Sequence, residues 1–244
     1  MADVSPALRA ELAPTGTLRV GLNMSNFLLT GTDSATKTPR GVAVDLGNEI
    51  ARRLGVPVTF VPYPSPGALA DGATAGAWDV GFLGAEPQRA KEINFSPAYV
   101  EIEATYLVQP GSSLKTPADV DKPGIRIITN ERAAYELWLT DNLKHATLVR
   151  EKGTDNTFKR FVEDKFDALA GLRPRLVTDA EKLPGSRVLD GRFTAVQQAI
   201  GTPKARVAGA KFLSEFAEDV KASGLVARLI EKNGVRGLSV AAAA

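Results

Sequence analysis

Between Leu18 and Leu83 the apolar residues alternate between two periods, and that alternation restricts the fold more than any other feature of the chain. Leu18-Arg19-Val20-Gly21-Leu22 is a short apolar run ending in the polar stretch Asn23-Met24-Ser25-Asn26. From Gly41 to Leu54 the period becomes helical, with Leu46, Ile50 and Leu54 recurring every fourth residue as a stripe to be buried. Gly55 stands where a helix-ending glycine belongs, and Pro57 prevents continuation. Val58-Thr59-Phe60-Val61 predicts the next strand, because β-branched and aromatic side chains fit a pleated surface. A helix is expected over about Pro66 to Ala75, then a third strand over Trp78 to Leu83. Strand, helix, strand, helix, strand at this spacing requires parallel pairing with right-handed crossovers, hence an α/β layer.

The series then breaks and restarts. Glu103 to Val108 predicts a strand, and Gln109-Pro110-Gly111-Ser112-Ser113 reads as a boundary turn. A second series follows: a strand at Ile125 to Ile128, a helix over Ala133 to Leu143, a helix over Asn156 to Asp164, and a strand over Phe166 to Ala170. In the second of those helices Phe158, Phe161 and Val162 share a face. A further strand-like segment runs over Ala195 to Gly201. One long amphipathic helix, Ala210 to Glu231, is expected to close the chain, with Phe212, Phe216, Val220, Val226 and Ile230 on its apolar side. No repeat of solenoid period is present. Two similar α/β units suggest two lobes, with a ligand cleft between them.

Composition removes much of enzymology. The 244 residues suffice for one large domain or two lobes. Thirty Lys and Arg against 28 Asp and Glu, scattered along the chain, argue against a nucleic-acid surface. With no cysteine there is no disulfide, thiolate nucleophile or Cys-based metal site. The single histidine, His145, removes His-paired metal ligation and leaves little room for a Ser-His-Asp triad. No cofactor is therefore expected. No apolar run approaches the roughly 18 to 20 residues of a membrane span. The opening Met1-Ala2-Asp3-Val4-Ser5-Pro6 lacks the features of a secretory leader. Two readings stay open: a cytoplasmic protein, or an exported one whose leader has been replaced by Met1.

The most informative segment runs from Gly76 to Tyr99. A strand ends at Leu83, Gly84 permits close backbone approach, and Pro87 suits the first turn of a helix. Free N–H groups at such a helix start, with its dipole, suit a carboxylate, and Arg89 one turn in is placed to clamp it in bidentate fashion. On spacing alone the favoured reading is the plainer one, a solvated helix arginine paired with a neighbouring glutamate. Trp78 and Trp138 read as packing residues, and His145 as a cation near a helix end.

This segment resembles the signature of the family 3 solute-binding proteins, the periplasmic polar amino-acid receptors of ABC transporters. There a strand is followed by a small-residue loop, an arginine, an Ile-x-Phe-Ser run and a Pro-x-Tyr, here Ile93-Asn94-Phe95-Ser96 and Pro97-Ala98-Tyr99. Gly16-Thr17-Leu18-Arg19-Val20-Gly21, Gly41-Val42-Ala43-Val44-Asp45-Leu46 and Lys165-Phe166-Asp167-Ala168-Leu169-Ala170 match in the same order, over nearly the whole chain. The resemblance implies a two-lobed periplasmic-binding-protein fold of type II, the Venus flytrap, each lobe a mixed sheet flanked by helices. Lobe one would comprise residues 1–106 and 199–244 and lobe two residues 107–198, with hinge strands near Ala104 to Val108 and Val196 to Gly201.

The resemblance also assigns roles. Arg89 takes the family position that binds the ligand's α-carboxylate, helped by Phe82 and Gly84 just before it. The loop after the first strand brings Asn23, Asn26 and Phe27. In lobe two Arg132 and Ala133 stand at the family's glycine and hydroxyl positions. Leu172 stands where amino-acid receptors carry an aspartate for the α-ammonium, and Arg173 follows it. A missing anion and a gained cation favour a carboxylate or dicarboxylate without the amine; Arg173 itself, in Leu172-Arg173-Pro174-Arg175, is evenly divided between the cleft and a solvated surface loop. Asp45 and Asp79 read as scaffold. The implied protein is a monomeric, non-enzymatic periplasmic receptor of a small carboxylate, amino acid or organic acid, with an ABC transporter permease as partner and neither nucleic acid nor membrane insertion. The alternatives are a cyclohexadienyl dehydratase-like enzyme on the same fold, with Glu131 or Glu101 as general acid, and the ligand-sensing domain of a signalling protein.

Overall fold

The computed structural model describes residues 4–244. The chain opens with a helix, α1 (Pro6–Leu12), capped by Ser5 and burying Leu8 and Leu12. Strand β1 (Leu18–Asn23) follows, then the two-residue ladder of β2 (Gly31–Thr32) and β3 (Pro39–Arg40), and helix α2 (Val42–Leu54). The stripe of Leu46, Ile50 and Leu54 is fully buried. Gly55 ends the helix at φ 67°, a left-handed conformation that costs glycine nothing. Next come β4 (Val58–Tyr63), α3 (Pro66–Thr74) and β5 (Val80–Gly84), then β6 (Ile93–Phe95) and the long β7 (Val100–Val108). The second series is β8 (Arg126–Asn130), α4 (Ala134–Asn142), β9 (Thr147–Glu151), α5 (Thr154–Glu163), β10 (Ala168–Leu172) and α6 (Arg173–Glu181). The short β11 (Arg187–Val188) leads to β12 (Thr194–Pro203), α7 (Val207–Ala222), α8 (Leu225–Lys232) and β13 (Ser239–Val240).

The chain divides into two compact units, Met1–Glu101 with Gln197–Ala244, and Ile102–Val196. It passes from one to the other twice, within β7 and within β12. In the first unit β1 lies between β4 and β5, parallel to both, and β12 pairs antiparallel with β5 and β6. In the second unit β8 lies between β9 and β10, parallel to both, and β10 pairs antiparallel with β7. Among the described residues no helix is long and apolar enough to cross a membrane.

Three expectations fail at turns. The single long helix over Ala210 to Glu231 is two, because Ser223 ends α7 and Gly224 adopts φ 71° before α8 starts. The helix expected after Pro87 is one 3₁₀ turn, Arg89–Lys91. Conversely, Leu172-Arg173-Pro174-Arg175, read as a loop, begins α6: Pro174 sits in the first turn, where its missing N–H has no intrahelical acceptor anyway. Strand β9 and helix α1 also lay outside the sequence reading.

The first unit is tied together by one carboxylate. Asp79 is fully buried and accepts hydrogen bonds from the Arg19 backbone N–H (2.9 Å), Arg19 Nε (3.0 Å) and Nη2 (2.8 Å), and Arg206 Nη1 (2.6 Å). Arg19 belongs to β1, Asp79 leads into β5, and Arg206 is the N-cap residue of α7. A second tie joins the ends of the unit: Glu11 Oε2 accepts from the Gly209 N–H in the first turn of α7 (2.8 Å). A Cβ on Gly209 would stand 2.6 Å from Leu12, so the glycine is what lets α1 lie against α7. Trp78 packs as expected, fully buried, its indole N–H donating to the Leu69 carbonyl (2.8 Å). Asp45 also serves the scaffold, accepting from Lys232 and Asn233 at the end of α8.

In the second unit the sheet separates two apolar layers. One gathers Tyr106, Val108, Ile127, Leu139 and Ala168, with Trp138 against it, its ring 5.5 Å from Phe193. The other gathers Leu107, Ile128, Phe161, Phe166 and Leu176. His145 lies past the end of α4 and donates its backbone N–H to Asp121 (2.8 Å).

Replacing Asp79 by alanine leaves two guanidinium groups facing a dry site and should cost roughly 3–5 kcal/mol, read as a lower urea midpoint with an unchanged slope. A second expectation concerns acid. The hydrogen bond from Arg52, opposed by partial burial and reinforced by Arg53, holds the Glu49 carboxyl down to about 2. A carboxyl depressed in the folded state stabilises above its unfolded value and loses that contribution as pH falls. The stability difference between the parent and Glu49→Gln should therefore shrink between about pH 5 and about pH 2.

Candidate functional site

In an open parallel sheet, ligands bind outside the carboxyl ends of two neighbouring strands whose connections leave in opposite directions. In the first unit β1 connects through α2 to β4 on one side, while β5 flanks it on the other, so that position lies beyond Asn23 and Gly84. In the second unit β8 connects through α4 to β9 on one side and has β10 on the other, which marks Asn130 and Leu172. Nine of the ten residues singled out from the sequence lie on the segments leaving these four strand ends. The exception is Phe82, inside β5.

In the first unit the loop after β1 is braced by its own polar groups. Asn23 Oδ1 accepts from the Ser25 N–H (3.1 Å) and hydroxyl (2.7 Å). Asn26 is buried, its Oδ1 accepting from the Leu28 N–H (3.3 Å), and the Thr30 hydroxyl bonds to the carbonyls of Asn23 and Asn26. The two asparagines thus hold the turn, and Phe27 at its tip is 52% exposed. An apolar ring presented on a stiff loop is the contact surface this segment offers.

Across from it, Phe82 is buried and meets Tyr99 edge to face, centroids 5.8 Å apart, so its side chain serves the core. The loop after β5 folds back on Gly84, whose carbonyl accepts from the Glu86 N–H (3.1 Å) and from Arg89 Nη1 (2.9 Å). The Arg89 N–H in turn donates to the Glu86 carbonyl (3.0 Å). Arg89 is only 6% exposed. Because the segment makes a single 3₁₀ turn, no helix dipole acts here, and the positive charge of the loop comes from the guanidinium. A guanidinium fixed in orientation at a strand end is suited to bidentate capture of a carboxylate.

In the second unit Arg132 has φ 60°, a left-handed backbone that an arginine adopts at a cost and a glycine without one. Its N–H donates to Glu136 Oε2 (2.9 Å). Glu136 is buried and also meets the Thr140 hydroxyl (2.7 Å) and Arg150 Nε (2.8 Å). Ala133 is the buried N-cap residue of α4 and supplies no side-chain cap. Leu172 occupies the same position at α6 and packs on Ala104, Ala133, Ala134, Tyr135 and Val196.

Arg173 makes three hydrogen bonds within its own unit. Its Nε donates to Glu103 Oε2 (2.7 Å), Nη1 to the Leu189 carbonyl (3.2 Å) and Nη2 to the Gly191 carbonyl. The cation gained in sequence is thus paired with Glu103 in β7. Sequence reasoning missed Glu103 and Glu136 in these roles. Glu136, three residues after the N-cap, stands at the spacing of a capping box and was open to detection; nothing local marks Glu103. It also missed a small, mainly apolar-walled recess beneath the β8–β10 ends, with Asn130, Tyr135, Thr154, Thr157, Arg175 and Asp179 as its polar residues. Of the two acids considered for catalysis, Glu101 accepts from Gln197 Nε2 (2.9 Å) and Glu131 donates its N–H to the Glu151 carbonyl (2.8 Å). Among the described residues no cluster of acids and histidine is arranged to hold a metal ion.

The profile of the bacterial extracellular solute-binding proteins, family 3, matches residues 18–235. No curated protein matches in sequence. Solved structures share the fold. A mutant of ArgBP from T. maritima is 24% identical over 93% of this chain and 99% of its own, with a TM-score of 0.74. A putative binding component of an ABC transporter from Wolinella succinogenes, complexed with lysine, is 23% identical over 91% and 97%, with a TM-score of 0.75. An ancestral amino acid-binding protein, a precursor of cyclohexadienyl dehydratase, is 23% identical over 94% and 99%, with a TM-score of 0.74.

Replacing Arg173 by alanine removes three charge-assisted bonds that hold β7, α6 and the 189–191 segment together. The expected loss is about 1–3 kcal/mol, read as a lower thermal midpoint, with increased amide exchange confined to the second unit.

Proposed function

Because this chain belongs to the bacterial extracellular solute-binding proteins of family 3, we propose that it is an extracytoplasmic receptor. It captures a small carboxylate-bearing ligand, amino acid or organic acid, and delivers it to the permease of an ABC transporter. The observation that carries this reading is the Arg89 guanidinium, buried and braced on the Gly84 carbonyl at the end of β5. Its charge cannot be neutralised by loss of a proton at working pH, and its planar donors match a carboxylate. Phe27, exposed on a stiff loop, supplies an apolar surface for the body of the ligand.

The second unit contributes the backbone starts of α4 and α6, with Ala133 and Leu172 beside them. Leu172 offers no anion for an ammonium group, and Arg173 is committed to Glu103. The discriminating contact of the receptor is therefore with the carboxylate rather than with an amine. The two strands through which the chain passes between units, β7 and β12, are the hinge about which the protein closes on its ligand. Ligand drives closure only through contacts stronger in the closed form than in the open one. The receptor acts as a monomer in the periplasm, and the transporter supplies the energy of uptake.

Arg89→Ala should lower affinity by about 100-fold or more, the value of a lost charge-assisted pair, and Arg89→Lys should recover only part of it. Calorimetry with L-arginine, L-lysine, succinate and propionate checks this, with circular dichroism to verify the fold. Unchanged affinity in Arg89→Ala would refute the carboxylate site.

A further inference from the structure

The recess in the second unit is the feature that the receptor reading leaves without a role. Its free space is about 10 Å³, close to that of a single water-sized group. Leu169, Ala170, Gly171 and Leu176 give it a mainly apolar wall, in which Thr157 and Arg175 are among the few polar groups. Thr157 Oγ1 is buried and donates to the Gly153 carbonyl (2.8 Å), which leaves its lone pairs to accept. Arg175 spends Nε on Asp179 Oδ2 (2.9 Å), one Nη1 hydrogen on Thr154 Oγ1 (3.1 Å) and one Nη2 hydrogen on Asp155 Oδ1 (2.6 Å). A guanidinium carries five N–H groups, so these bonds leave two to donate. Lys182 Nζ meets the other oxygen of Asp179 at 3.2 Å. Two cations, Arg175 and Lys182, therefore balance two carboxylates, Asp155 and Asp179.

A recess that is balanced in charge, and that offers acceptor and donor groups together, selects an occupant able to donate and accept at once. A second carboxylate has no proton to give and would sit beside Asp155 and Asp179. An ammonium cannot accept and would face Arg175. The volume excludes a ring or an alkyl branch. Tyr135, in the same wall, is hydrogen-bonded by the Asn130 side chain, and burial pushes its phenol up, so it adds no charge.

We propose that this recess is a binding site for one neutral hydroxyl-type oxygen, held between Thr157 and Arg175. The oxygen is either a water molecule or a hydroxyl carried by the receptor's own ligand. The second source rests on the receptor reading above; the first does not.

Two measurements separate these cases. In a high-resolution crystal structure of the ligand-free protein, one ordered oxygen should stand within about 2.7–3.2 Å of Thr157 or Arg175 polar atoms, and Thr157→Val, nearly isosteric, should lose or displace it. Arg175→Lys, which keeps the charge but removes the fork of donors, repeats the test should Thr157→Val fold poorly. Calorimetry then compares L-malate with succinate, L-lactate with propionate, and L-homoserine with L-2-aminobutyrate. A preference of about tenfold for the hydroxylated partner, lost in Thr157→Val, identifies a ligand hydroxyl. No preference, with the ordered oxygen retained in the complex, identifies a resident water. Absence of the ordered oxygen together with no hydroxyl preference overturns the site. If none of the six acids binds, the crystal structures alone decide the recess.

Discussion

A buried carboxylate is tolerated only when its charge is met, and Asp79 is met by two arginines from opposite ends of the sequence. That requirement organises the first unit. Arg19 brings β1, Asp79 leads into β5, and Arg206 fixes the start of α7 after β12 has returned. The Thr202 hydroxyl, on β12, adds a bond to the Asp79 carbonyl (2.9 Å). Three stretches distant in sequence thus meet at one point below the sheet ends where Asn23 and Gly84 emerge. The braced loops after β1 and β5 depend on strands positioned in this way.

The same logic of paired charge runs through the second unit, with a different outcome for function. Glu136 is neutralised by Arg150, Arg173 by Glu103, and Arg175 by Asp155 and Asp179. Charges that looked available in sequence are therefore structural. What this unit presents at its strand ends is mainly backbone and small or apolar side chains, Ala133 and Leu172 among them. In the first unit, the Arg89 guanidinium is held at the end of β5 by a bond to the Gly84 carbonyl.

Much of the architecture was legible because it rests on periodicity. The strands and helices between Leu18 and Leu83 follow from apolar spacing, and the glycine end of α2 from a single residue type. What was not legible depended on particular turns. Nothing in the spacing of Phe212, Phe216, Val220 and Val226 marks Gly224 as left-handed, so two helices read as one. Pro174 read as a loop residue because a proline at the second position of a helix and one in a loop look alike without their neighbours. Site residues divide in the same way. Their places at the strand ends follow from chain order, whereas the tasks of Asn23, Asn26 and Arg173 depend on partners up to 70 residues away, as Glu103 is from Arg173. The left-handed φ of Arg132 gives a backbone reason for the glycine that the resemblance sets there.

The discontinuity of the first unit has a consequence for the order in which the protein is made. Residues 102–196 are contiguous, so the second unit has all its strands once Val196 has left the ribosome. The first unit lacks β12 until then, and β5 waits with an unpaired edge. Arg206 and Gly209, the partners of Asp79 and Glu11, arrive later still. Until then the strands from β1 to β6 cannot finish folding, and the exposed edge of β5 is where a nascent chain of this design is open to wrong pairing.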